Sequence, residues 1–231
     1  MSQPDSQARL FAYLAQYLQP ERLRRFEEVL AWRTRYLTVA VEELHKPRNT
    51  SAVLRSCEGF GIQDVHIIAG AETYPIHKLI AGGAAPWLTV HRHRAATGSA
   101  AACIGRLRAQ GYRIVATSPH AEQQVEDLGL DRPLALFFGS ELEGLSETVL
   151  SQADVQLRIP MYGFTESLNL SVSAALLLHD LSRRLHARDD LPWRLSEAEK
   201  MDLRVAWATR SLKYGYRYVR RFWREEGERP A

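Results

Sequence analysis

Three short segments carry side chains that could hold an anion or position a nucleophile. The first is His45-Lys46-Pro47-Arg48-Asn49-Thr50-Ser51-Ala52-Val53-Leu54-Arg55. Its cations cluster around Pro47, and Asn49 or Thr50 is a natural N-cap for a following helix. If Asn49 caps, Arg55 falls less than about two turns into that helix, where a functional arginine can face the end of a sheet. The second segment is Phe138-Gly139-Ser140-Glu141-Leu142-Glu143-Gly144-Leu145-Ser146. It follows the phosphate-loop pattern G-x4-G-K-[ST] except that Leu145 stands in place of the lysine, so nothing from this loop would reach terminal phosphates. What remains is a backbone that glycines allow to approach a ligand closely, with a helix N-terminus behind it. The third segment starts at Ile159-Pro160-Met161 and continues Glu166-Ser167-Leu168-Asn169-Leu170-Ser171-Val172-Ser173-Ala174-Ala175. Ser167 and Asn169 sit at the start of a helical pattern, where small polar side chains reach either backbone or ligand.

The elements that must hold these segments follow from periodicity. Short apolar runs occur at Leu37–Val41, Val65–Ile68, Trp87–Val90, Arg113–Ala116, Leu134–Phe138 and Val155–Ile159. Helical patterns at Thr50–Phe60, Ala95–Gln110, Leu145–Ala153 and Leu168–Leu185 lie between them. Alternation of this kind predicts an α/β fold with a mainly parallel sheet covered by helices. Ligands of such sheets bind beyond the carboxyl ends of the strands, which is where the second and third segments fall. Residues 7–34 read as two short helices interrupted by Pro20, and a helical region follows from about Arg183. The predicted organisation is a helical extension over residues 1–36, a central domain over 37–185 and a basic, aromatic helical extension over 186–231.

Composition removes several classes of function. Of 231 residues, 45% are hydrophobic and 25% charged, which are globular values. The 30 Lys and Arg against 27 Asp and Glu leave a net +3, so bulk charge does not by itself announce a nucleic-acid partner. The two cysteines, Cys57 and Cys103, cannot build a disulfide framework, and neither has a neighbour at zinc-ligand spacing, so no metal is expected. No leader pattern and no membrane-spanning apolar run are visible, which predicts a cytoplasmic protein without a membrane partner.

Charge is concentrated locally instead. Residues 207–224 hold Arg210, Lys213, Arg217, Arg220, Arg221 and Arg224 without one acidic residue. The spacing from Arg210 to Arg224 predicts a single basic helix face. Aromatic residues interleaved with it would serve dimer packing or base stacking. Such a stripe, with Arg48, suits a phosphate backbone. A second basic patch is expected at Arg22, Arg24, Arg25, Arg33 and Arg35.

The three segments together, N-T-S-A-V-L-R, F-F-G-S-E-L-E-G-L and I-P-M with S-L-N-L-S-V-S-A-A, occur in the order and spacing of the SpoU/TrmH branch of the SPOUT RNA methyltransferases, which residues 37–185 resemble. The H-K-P-R-N lead-in and the terminal helices look most like the tRNA (guanosine-2′-O-)-methyltransferase group, although Glu166 stands where that group usually shows Gln. The resemblance implies a C-terminal trefoil knot, a homodimer, and S-adenosylmethionine (SAM) as methyl donor. By position it implies SAM contacts at Thr117, Gly139, Ile159 and Leu168, and a catalytic set of Arg55, Asn49, Glu141, Ser167 and Asn169. The implied reaction is 2′-O-methylation of the D-loop guanosine of tRNA (Gm18), with ribosomal RNA as the alternative substrate and a non-catalytic RNA-binding factor as the alternative outside enzymes. Arg55 would be either a transiently neutral base or, as its high pKa favours, a charged group that holds phosphate and steadies the developing alkoxide.

Overall fold

The computed structural model describes residues 3–43, 47–69, 83–94, 99–140 and 143–227. Along the chain, α1 (Gln3–Ala15) and α2 (Pro20–Leu30) precede β1 (Leu37–Glu43), α3 (Pro47–Gly59), β2 (Asp64–Ala69) and β3 (Thr89–Arg94). Then come α4 (Ser99–Ala109), β4 (Arg113–Thr117), β5 (Gln123–Gln124), β6 (Leu134–Phe138), α5 (Glu147–Gln152) and β7 (Val155–Arg158). The chain continues through α6 (Leu170–His186), α7 (Glu197–Ser211) and α8 (Gly215–Glu225). Thr34–Trp193 forms one compact unit, and Met1–Arg33 with Arg194–Ala231 forms a second.

The first unit is a seven-stranded sheet in the order β3-β2-β1-β6-β4-β7-β5, with every pairing parallel. Alternate residues of a strand face opposite ways, so β1, β2, β4 and β6 each feed two cores. Val39, Val65, Val115, Leu134 and Leu136 pack with Val53, Leu54 and Cys57 of α3 and with Ala174, Leu177 and Leu181 of α6. Ala40, Ile68, Ile114, Ala135 and Phe137 pack with Cys103, Ile104 and Leu107 of α4 and Val149 of α5. A sheet covered on both faces needs near-continuous apolar strands, and β6 (Leu-Ala-Leu-Phe-Phe) is buried at every position. Each wholly buried Leu or Phe there contributes roughly 1.5–3 kcal/mol.

The strand and helix order read from periodicity holds, with local corrections. Trp87 is not in a strand but closes a 3-10 turn, Ala85–Trp87, which Pro86 favours. β7 stops at Arg158, ahead of Pro160, whose missing N–H ends the ladder. Helix α3 starts at Pro47, so neither Asn49 nor Thr50 is its N-cap. The fixed φ of proline suits the first helical position, and this outweighs the cap preference of the residues after it.

The second unit packs α1, α2, α7 and α8 around Leu10, Leu14, Phe26, Leu30, Leu203, Trp207 and Phe222. Phe26 meets Trp207 edge-on at 5.6 Å and Tyr13 meets Phe222 at 5.5 Å between ring centroids. Ser196 and Glu199 form a reciprocal capping box at the start of α7. Of the expected second basic patch, Arg22, Arg24 and Arg25 are exposed on α2. Arg33 is wholly buried with its guanidinium over Trp207. Arg24 and Arg25 pair with Glu28, and Arg35 pairs with Asp64 at 2.8 Å.

Candidate active site

Beyond the carboxyl ends of β4, β6 and β7 lies a cavity of about 420 Å3. Thr117, Gly139, Ile159 and Leu168, four residues from four separate stretches of chain, all line it. Ser167 lines it as well, beside Glu166, and α6 adds Leu170, Ser173 and Leu177. The lining is therefore mixed, with apolar residues (Phe138, Leu145, Leu157, Leu177) beside hydroxyls and carboxylates (Ser118, Ser140, Ser167, Glu143, Glu166). Concave sites of this size with a few convergent polar groups are typical of small-molecule and cofactor pockets.

The glycine-bearing loop explains its own composition. Ser140 and Gly144 face each other as an antiparallel bridge, exchanging two backbone hydrogen bonds of 3.0 Å. The Glu143 N–H donates to Ser140 Oγ at 3.0 Å inside the same turn. Gly144 holds φ at 68°, the left-handed region. Gly139 has no room for a side chain, because a Cβ there would sit 2.1 Å from the carbonyl carbon and oxygen of Gly144. The loop then runs into α5, where Ser146 caps the helix and its N–H donates to the buried carboxylate of Glu42 at 2.7 Å. On the other side of the cavity, Thr117 spends its hydroxyl on the Phe137 carbonyl at 2.9 Å, and the Ser118 N–H donates to the Leu157 carbonyl at 2.9 Å. These bonds fix the backbone that presents Thr117 and Ser118.

The expected catalytic residues are only partly brought together. Asn169 caps α6, accepting from the Ser171 N–H at 2.8 Å and the Ser171 hydroxyl at 2.6 Å. Of the two roles open to it, it takes the backbone one through its side-chain oxygen. Asn49 and Arg55 stand on α3, which packs against α6 but does not line the cavity; the Arg55 side chain is exposed. Glu141 lies outside the described residues, as do His45, Lys46 and the side chain of Arg48. His120 and Glu143 line the cavity without having been singled out from sequence. His120 could have been found, since it follows β4 directly.

The basic C-terminal stripe is not one helix face. The chain breaks between α7 and α8, with Tyr214 at φ 62°. Arg210 lies in the last turn of α7, Lys213 lies in the connection, and Arg217, Arg220, Arg221 and Arg224 belong to α8. Arg217 stacks on Tyr214 at 4.7 Å, and Arg221 pairs with Glu225 at 2.7 Å, one residue past the acid-free stretch.

With this geometry in hand, comparison with known proteins is direct. The profile of the SpoU rRNA Methylase family matches residues 36–179, most of the chain and nearly all of the sheet unit. The chain belongs to that family. This SpoU family member is 36% identical over 207 residues to the tRNA (guanosine(18)-2′-O)-methyltransferase of Borreliella burgdorferi, covering 89% of this chain and 92% of that one. It is 35% identical over 170 residues to the Escherichia coli K12 protein of the same name, covering 72% of each. Among solved structures, it superposes on a TrmH/SpoU tRNA modifying enzyme of A. aeolicus with a TM-score of 0.71 and 27% identity, covering 84% of this chain and 98% of that one.

Proposed function

We propose that this SpoU family member is a SAM-dependent tRNA (guanosine-2′-O-)-methyltransferase that methylates the ribose of G18 in the D-loop. The observation that carries the reading is the convergence of Thr117, Gly139, Ile159, Leu168 and Ser167 on one cavity at the strand ends. Its mixed walls fit a molecule that is part purine, part charged amino acid. Leu157, Ile159 and Leu170 would cover the base, and the backbone at Thr117 and Gly139 would supply its edge contacts. Glu143 would face the ammonium group. When bound, SAM supplies an activated methyl group whose transfer releases a neutral thioether, so the chain's own task is positioning and charge.

Ser167 would orient the attacking 2′-hydroxyl against the methyl group. Arg55 would stay protonated, hold a substrate phosphate with its fork of donors and stabilise the oxygen as its proton leaves. Asn49 and Glu141 would fix Arg55. Exposed cations at Lys213, Arg217, Arg220 and Arg224, with Arg48 and Arg210, would bind the tRNA backbone. Among the described residues no helix is long and apolar enough to cross a membrane, and tRNA as substrate supports a cytoplasmic location. The segment after β7 and helix α6 close the cavity against the Gly139 loop, which supports a trefoil knot here. Four exposed apolar side chains on and before α6 (Tyr162, Phe164, Val172 and Leu176) support a homodimer. The organisation into a SPOUT domain over 37–185 between terminal extensions is part of the same reading.

Methyl transfer from radiolabelled SAM to unmodified tRNA and ribosomal RNA transcripts tests the proposal. Label mapped to a D-loop 2′-O-methylguanosine is the expected result. Label confined to ribosomal RNA keeps the chemistry and replaces the substrate, and failure to bind SAM in calorimetry moves the chain to the non-catalytic class. Arg55→Lys keeps the charge but loses the forked contact, so kcat should fall by about 100-fold or more. Near-normal turnover would remove the forked contact from the mechanism.

A further inference from the structure

On the sheet face covered by α4, well apart in sequence from the three signature segments, β2, β3 and α4 bring together His66, His93 and Cys103. One ligand atom from each lies within 4.8 Å of the other two. The His66 Nδ1 and His93 Nε2 atoms are already 3.0 Å apart. Two imidazole nitrogens on a tetrahedral zinc ion, each at about 2.0–2.1 Å from the metal, would be separated by ~3.3 Å. The pair therefore needs almost no opening to admit an ion, and the Cys103 sulfur needs to close in by about 1 Å. We propose that His66, His93 and Cys103 form a binding site for one borderline-soft divalent ion of the zinc class, with solvent as fourth ligand.

The surroundings are those of a fixed site. His66 is 3% exposed and Cys103 fully buried, so neither side chain is free to wander. The ladder register sets His66 opposite His91 and Ile68 opposite His93. His91 stacks on His66 at 4.6 Å with planes 16° apart, and its Nε2 lies 3.3 Å from Asp64, which is held by Arg35 at 2.8 Å. This chain of contacts sets the plane of the His66 ring without using the nitrogen that faces His93. Two imidazoles and a thiolate are the donor set expected for zinc rather than for a hard ion such as magnesium or calcium. Arg106, on the same helix as Cys103, adds positive charge nearby. A site of imidazoles alone would suffer from that repulsion, and the thiolate charge offsets it. On binding, the thiol proton passes to solvent. The imidazole proton between the two histidines moves to the far nitrogen of its ring, so one proton leaves per ion. The ion would tie β3, an edge strand, to β2 and to the helix above them.

The test uses the full-length, reduced, metal-stripped protein and needs no activity measurement. Cobalt(II) should bind at one equivalent, giving tetrahedral visible bands and a thiolate-to-cobalt charge-transfer band in the near ultraviolet, and zinc should bleach both. Cys103→Ser should abolish the charge-transfer band and weaken binding by more than about 100-fold, beyond what outer-shell substitutions usually cost. His93→Gln, at a half-buried position that tolerates change better, should weaken binding comparably and leave the metal-free Tm near wild type. Cys57→Ser, whose thiol is buried in the opposite core, should leave cobalt binding and both sets of bands unchanged. Zinc should raise the Tm of the wild type and of Cys57→Ser but not that of the other two. Absence of the charge-transfer band, its survival in Cys103→Ser, or its loss in Cys57→Ser would overturn the site. So would an equal zinc effect on the Tm of wild type and His93→Gln.

Discussion

The cavity at the strand ends and the basic C-terminal stripe were both legible as candidate sites, but they are built in opposite ways. The cavity draws on residues 117–120, 138–140 and 143–145, and on residues between Leu157 and Leu177, which meet only because parallel strands end at the same side of a sheet. The stripe is contiguous, residues 210–224, yet its regular spacing does not survive, because the backbone turns at Tyr214. A motif whose residues must come from several strand ends is constrained by the whole fold. A periodic run on a helix is constrained only by itself, and one residue with positive φ resets its face. Thr117, Gly139, Ile159 and Leu168 therefore share one cavity, whereas the neighbouring cations do not share one helix face.

The largest expected effect falls on the constrained region. Gly139→Ala would set a methyl group 2.1 Å from the Gly144 carbonyl and force the Ser140–Gly144 bridge to open. A cost of ~3 kcal/mol is reasonable for such strain, equivalent to about 100-fold in affinity for SAM. Calorimetry should register that loss with little change in tRNA binding. Unaltered SAM affinity would mean that the loop does not shape the pocket.

Next in size is a change at the break in the stripe. Gly215 lies against the Thr209 carbonyl, and a Cβ would come within 1.8 Å of that oxygen. Gly215→Ala should cost the helical unit roughly 2–4 kcal/mol, read as an early thermal transition. If the variant is as stable as the wild type, the α7–α8 angle is soft and a continuous basic face is accessible after all.

A smaller effect sorts the cations of α8. Arg221 is held by Glu225, whereas Arg220, its exposed neighbour, has no ion pair among the described residues. Arg220→Ala should reduce the slope of log affinity for tRNA against log salt by about 0.7–0.9, and Arg221→Ala by less. Equal slopes would show that the Arg221–Glu225 pair, which is exposed and worth little, opens on binding.

The contrast also explains what the sequence left hidden. Apolar runs marked the places of six of the seven strands, most fully at β6, which is buried at every position, while β5, two glutamines long, carries no such signal. Pro47 was visible as a break but not as the first helical residue. Arg33 read as a surface cation because nothing local announces that Trp207 covers it. His66, His93 and Cys103 failed the spacing test for zinc because that test looks for ligands close in sequence. Two of these come instead from adjacent strands, and the third from the helix above.

The smallest predicted effect lies at the end of the sheet away from the cavity, and separates stability from binding. Asp154 precedes β7 and accepts from the Ile114 N–H of β4 at 2.7 Å and from Arg108 at 3.0 Å. Partial burial alone would raise its carboxyl, but the Ile114 amide and the Arg108 guanidinium outweigh that and hold it below the usual carboxylate range. A depressed folded-state value means that the carboxylate stabilises the fold at pH above its unfolded value near 3.8, and that this contribution is lost as pH falls through the folded value. Asp154→Asn should therefore destabilise the fold slightly at neutral pH, by under about 1 kcal/mol since the side chain is partly exposed, and be read as a small fall in Tm. The gap to wild type should close in acid below pH 3.8. SAM affinity should not move, because β4 and β7 keep the rest of their ladder up to Thr117 and Leu157. A variant that loses affinity along with stability would show that the cavity depends on the far ends of its strands as much as on the loops that line it.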